Sequence, residues 1–120
     1  MIYTGYFAKT KKYMEVGLTP VSIAGKSPDF FNGIEWKFFA PSWGIYSKWK
    51  NGEICNAEFV NRFIPERLEI LDKEELKEKL LTAGDIILLC YEKPGSFCHR
   101  HIVADWIEKQ FGIKVEEFKV

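Results

Sequence analysis

The sharpest hydrophobic pattern in the chain ends beside a cluster of reactive side chains. Ile86-Ile87-Leu88-Leu89-Cys90 is an unbroken apolar run. It is too short for a typical helix and rich in large aliphatics, which predicts a strand covered on both faces. Pro94 and Gly95 end it. Beyond Ser96 the period changes. Ile102, Val103, Trp106, Ile107 and Phe111 recur at helical spacing, with His101, Asp105, Glu108 and Lys109 on the other side, and Gly112 closes the helix. Upstream, residues 2–8 alternate as a first strand in which Gly5 invites a close approach of backbone or ligand. Residues 9–12 read as a basic loop, residues 21–24 as a second strand, and residues 34–40 as a third. Residues 41–50 read as a short helix with Pro near its first turn, carrying Tyr46, Trp49 and Lys50 on one face. Asn56 is the expected N-cap of a helix with the stripe Phe59, Val60, Phe63 and Ile64, which Pro65 should kink or end. Asp72 should cap another, with Glu75 three residues on, before Gly84 stops it; residues 114–118 add an edge strand.

This order of elements predicts an α/β fold, a mainly parallel sheet flanked by helices in a single small domain over residues 1–120. A chain of 120 residues at 47% hydrophobic can bury an ordinary core. In such sheets ligands bind beyond the carboxyl ends of the strands, where the next helix presents free N–H groups. Cys90 and Glu92 fall at the exit of the buried strand, and Cys98, His99 and Arg100 open the helix after it. Thr4, Tyr6 and Ser22 are the candidates to reach the same place from neighbouring strands.

These residue types limit the chemistry. Cys98, beside a histidine, an arginine and a helix N-terminus, has the surroundings of a thiolate nucleophile. The weightier alternative is a small buried hydrophobe tying loop to helix. Arg100 in a first helical turn calls for an anion, either a phosphate or the Glu92 carboxylate. Glu92 could act on an N-glycosidic bond, although no partner acid is evident. Cys90, Cys98 and His99 are zinc-ligand types, but their spacing is not a usual one and adjacent Cys-His rarely ligate one ion, so neither metal nor cofactor is expected. Gly25-Lys26-Ser27-Pro28 lacks the glycine spacing of a P-loop. The Tyr46 and Trp49 rings either stack a base or lie on the sheet.

The run LLCYEKPGSFCHRHIVADW resembles the signature of the domain of unknown function number 488 family: a strand-end Cys-x-Glu, a short loop, and Cys-His-Arg opening a helix. The amino-terminal IYTGYF and the strand PVSIAG are similar as well. The resemblance implies a fold and a site without a reaction.

Composition narrows the partners. With 17 basic and 17 acidic residues the net charge is +0, so no global field draws the chain to nucleic acid or an anionic membrane, and only a local basic patch would do so. No apolar stretch approaches membrane-helix length, and three cysteines in a chain without a signal-like start point to free thiols in a cytoplasmic setting. Two functions follow as expectations. One is a small enzyme binding or acting on a nucleotide, nucleoside or modified base; the other is a non-catalytic module for a nucleotide-like ligand or a protein partner.

Overall fold

The structure, a computed structural model, describes residues 1–119. Among these residues five strands form one sheet: β1 (Ile2–Tyr6), β2 (Thr19–Ser22), β3 (Ile34–Glu35), β4 (Ile86–Cys90) and β5 (Val115–Glu117), in the order β3-β2-β4-β1-β5. Every pairing is parallel, so the fold is α/β as the element order predicts. β4 lies at the centre with all five residues buried. The register sets Tyr6 opposite Cys90 and Ser22 opposite Leu89, which brings three strand ends level at one edge.

Alternation along β4 divides the core. Ile86 and Leu88 pack into the larger cluster with Phe59, Phe63, Leu68, Leu76, Val103 and Ile107. These come from α3 (Asn56–Phe63), a π-type turn (Ile64–Leu68), α4 (Lys73–Thr82) and α5 (His99–Phe111). Ile87 and Leu89 face the smaller cluster of Phe7, Tyr13, Leu18 and Ala24, covered by α1 (Thr10–Glu15). No helix of the described residues is long and apolar enough to cross a membrane.

The departures from expectation have identifiable causes. Residues 9–12 are helical, because a turn at Phe7–Lys9 leads into α1, which lays fully buried Tyr13 over the sheet while Lys11 and Lys12 stay in water. Of residues 34–40 only Ile34 and Glu35 pair; the chain then turns inward to bury Phe39 and Ala40. Arg67 holds that turn by donating to the carbonyls of Ala40 (2.8 Å) and Lys37 (3.0 Å). α2 spans Trp43–Lys50, and its cap is Ser42, whose Oγ accepts from Ile45 N. Asn56 is not the N-cap of α3. Cys55 holds that position, and Asn56 Oδ1 accepts from Trp49 Nε1 at 2.7 Å. The α-helical bonding does stop just ahead of Pro65, since α3 ends at Phe63 and the backbone widens into the π-type turn, which buries Leu68. Asp72 caps α4 through Glu75 N at 3.0 Å, and Gly112 ends α5 at φ 68°, a left-handed conformation open to glycine.

Candidate functional site

β4 delivers Cys90 to the sheet edge, and residues 91–97 loop back to α5. Cys98 is the N-cap of α5, with extended backbone (φ −151°, ψ 144°). That extension turns its side chain towards Cys90, and the two sulfurs are joined as a disulfide, so of the three cysteines expected as free thiols only Cys55 is free. His99 begins the helix. Its Nε2 lies 2.6 Å from the Ile23 carbonyl, which only accepts, so Nε2 carries the proton and Nδ1 keeps its lone pair, 3.9 Å from Cys98 Sγ. Burial lowers the His99 pKa to about 4, against the hydrogen bond to Ile23 and together with the Arg100 charge, so the ring is neutral at pH 7.

Arg100 has no exposed surface. Its carboxylate partner is Glu117 of β5, in place of the Glu92 side chain considered from the sequence. Nε and Nη2 each donate at 3.0 Å to the two Glu117 oxygens, while Nη1 donates to the Glu92 carbonyl at 2.7 Å and Cys90 Sγ at 3.1 Å. The reason is topological: β5 lies beside β1 and under α5, so Glu117 reaches the guanidinium first. Thr4 Oγ1 donates to the same carboxylate at 2.6 Å. Burial pushes the Glu117 pKa up, but the hydrogen bonds from Arg100 and Thr4 and the Arg100 charge outweigh it and hold the carboxyl below its usual range.

A cavity of about 590 Å³ opens over the β2 and β4 ends. Its wall takes Cys90, Tyr91, Glu92 and His99 from the signature, Lys26 from the turn after β2, Lys37 and Arg67 from the two turns, and Trp43 and Tyr46 from α2. Half-buried Glu92 also lines a smaller pocket with Phe97, Cys98 and His99. Thr4, Tyr6, Ser22 and Arg100 line neither. Ser22 Oγ accepts from Ala24 N and sits 2.7 Å from Ser27 Oγ, and Tyr6 stands half-buried at the end of β1. The structure therefore brings Cys90, Glu92, Cys98 and His99 together and sets Arg100 and Thr4 in a layer behind them.

Sequence reasoning did not single out Lys26, Lys37, Arg67 or Trp43. A signal existed for Lys26, which directly follows the glycine after β2 at the carboxyl edge of the sheet, where a ligand is expected even without P-loop spacing. Trp43 is 77% exposed, whereas Trp49 packs against Phe59 and Phe97 as part of the core wall. Of the proposed aromatic face, then, Tyr46 lines the cleft and Trp49 supports it.

Residues 17–111 match the family model described as the Active DUF488-N3 subclade. No curated protein and no solved structure matches the chain. The matched stretch contains every residue lining the cleft, while β1 with Thr4 and β5 with Glu117 lie outside it. The Cys-x-Glu and Cys-His-Arg signature stands inside the match, at the carboxyl edge of the sheet, and the chain belongs to the DUF488 family.

Proposed function

We propose that the cleft binds a phosphorylated, nucleotide-like ligand and that Glu92 is the group placed to act on it. The observation that carries this reading is the concentration of cations in a chain of zero net charge. Lys26, Lys37 and Arg67 line one cavity, where Glu92 is the only carboxylate of the described lining residues. Exposed Trp43 and its neighbour Tyr46, with ring centroids 6.1 Å apart, offer stacking surface at the same mouth. Base stacking on such rings is worth about 1–3 kcal/mol. Arg67 is fixed by its bonds to two carbonyls, so it presents charge without ordering a flexible side chain. Glu92 follows the buried strand directly, and Arg100 holds its backbone carbonyl, which supports a role for its carboxylate as an acid or base.

The lone carboxylate favours a second reading, capture of the same ligand without turnover, because glycosidic cleavage ordinarily uses two. Calorimetric titration with nucleoside monophosphates, sugar phosphates and free nucleosides tests both. Binding of the phosphorylated compounds, weakened about tenfold or more in Lys26→Ala/Lys37→Ala and in Trp43→Ala, is the expected result. Turnover lost in Glu92→Gln with binding kept assigns an enzyme; binding without turnover assigns a module. If no phosphorylated compound binds the folded wild type, the reading fails.

A further inference from the structure

We propose that in the reduced chain, once a thiol reductant has opened the Cys90–Cys98 bond, Cys90, Cys98 and His99 form a binding site for a divalent ion of the zinc class, with a fourth coordination position open to the cleft. The two sulfurs and an imidazole nitrogen lie within 4.8 Å of one another, at the edge of the central strand. Two thiolates and an imidazole form a donor set suited to zinc.

Three independent features fit coordination. First, the Ile23 carbonyl accepts a hydrogen bond from Nε2–H, which leaves the Nδ1 lone pair towards Cys98, the arrangement in which a ligating histidine is oriented by its other nitrogen. Second, the Cα atoms of Cys90 and Cys98 are 7.4 Å apart, wider than the usual span of about 4.4–6.8 Å for bridged cysteines. Sulfurs bound to a shared zinc at about 2.3 Å each stand roughly 3.8 Å from one another in a tetrahedral site, and the wider backbone makes room for that. Third, thiolates are supported where they sit: Arg100 Nη1 donates to Cys90 Sγ, and Cys98 caps the thirteen-residue α5. Two thiolates and a neutral imidazole compensate the ion's two charges, so the Arg100–Glu117 pair keeps its own balance. Each thiol releases its proton to solvent on binding.

The sequence argument against this site was that adjacent Cys-His seldom share an ion. The extended N-cap backbone of Cys98 removes that objection, because it folds the sulfur back over the first helical residue. Cys90 and His99 line the large cavity, and Cys98 and His99 the small one, so water or a ligand oxygen has access to the remaining position, as in catalytic zinc sites with three protein ligands. None of this depends on the nucleotide reading.

The test uses the reduced full chain, stripped of metal with a chelator and titrated with Co2+ alone. The expected result is one equivalent bound, with thiolate-to-cobalt charge-transfer bands and the visible bands of a tetrahedral ion, both removed by Zn2+. Zn2+ should also shield Cys90 and Cys98, and not exposed Cys55, from alkylation mapped by mass spectrometry. Cys90→Ser should weaken binding about tenfold or more, while Cys55→Ser leaves it unchanged. The alkylation map is read on wild type, so it decides even if Cys90→Ser does not fold. Folded, reduced wild type that shows no thiolate-to-cobalt band, or Zn2+ that protects neither Cys90 nor Cys98, overturns the site. Phosphate-ligand binding by the same metal-free sample is a separate readout and tells failure here apart from failure of the cleft reading.

Discussion

Arg100 occupies the first turn of α5, where a cation opposes the helix dipole, and Glu117 supplies the missing anion. The need for an anion was legible from that position alone. Its identity was not, because strand order, and not spacing, brings residue 117 under the helix. Glu117→Gln leaves the fully buried guanidinium without its countercharge, and about 3 kcal/mol of stability should be lost in urea unfolding. The acid limb should change too. The folded carboxyl titrates below its usual range, so its contribution is complete above the unfolded value of about 4.3 and disappears as pH falls through the folded one. Its neighbours are Arg100 and His101 on α5, Thr4 on β1 and Tyr13 on α1, and among these Arg100 dominates. The Gln variant should lack this part of the acid-induced loss while keeping the remainder. The cysteines and histidine of the signature were likewise legible as types, and their convergence followed from strand-loop-helix topology; of the cleft's cations only Lys26 carried a signal, because Lys37 and Arg67 are remote in sequence and resemble ordinary surface charges.

At the level of elements, strongly patterned segments could be read directly. β4, α4 and α5 announce themselves through an unbroken apolar run, a capped amphipathic stripe and a closing glycine. Segments decided by tertiary contacts could not. Residues 9–12 look like a solvated charge run until Tyr13 finds the sheet, and residues 36–40 carry strand-forming rings but turn inward under the hold of Arg67. Gly5 illustrates the same dependence. A Cβ there would stand 2.7 Å from Tyr13 Cζ and 2.8 Å from Ile87 Cδ1, both buried side chains with little room to retreat. Gly5→Ala should therefore destabilise by about 1–3 kcal/mol, visible as a lower thermal midpoint. Asp72→Ala, by contrast, removes only the α4 cap and should cost about 1 kcal/mol in the same assay, leaving the cleft's ligand affinity unchanged.

For the molecule as a whole, balanced charge conceals a local excess: Lys26, Lys37 and Arg67 line the cleft with Glu92 as its carboxylate. Affinity for a phosphorylated ligand should consequently fall as salt rises. Lys26→Ala/Lys37→Ala should flatten that dependence, while Trp43→Ala lowers affinity without altering the slope; titrations at several ionic strengths separate the two. The strand order has a further consequence, in time. Among the described residues β1 pairs with β4 and β5, Ile2 standing opposite Ile86 on one side and Val115 on the other. Of the five strands β1 is made before the others, and it has no sheet neighbour until β4 has followed it. Helices α2 to α4 can form early from local contacts, but β4, which carries Cys90, gains β1 beside it only through distant contacts such as Ile2 with Ile86. Contacts of such long sequence separation form slowly. In the interval an apolar strand waits uncovered, which makes the newly made chain dependent on conditions that keep unpaired strands apart.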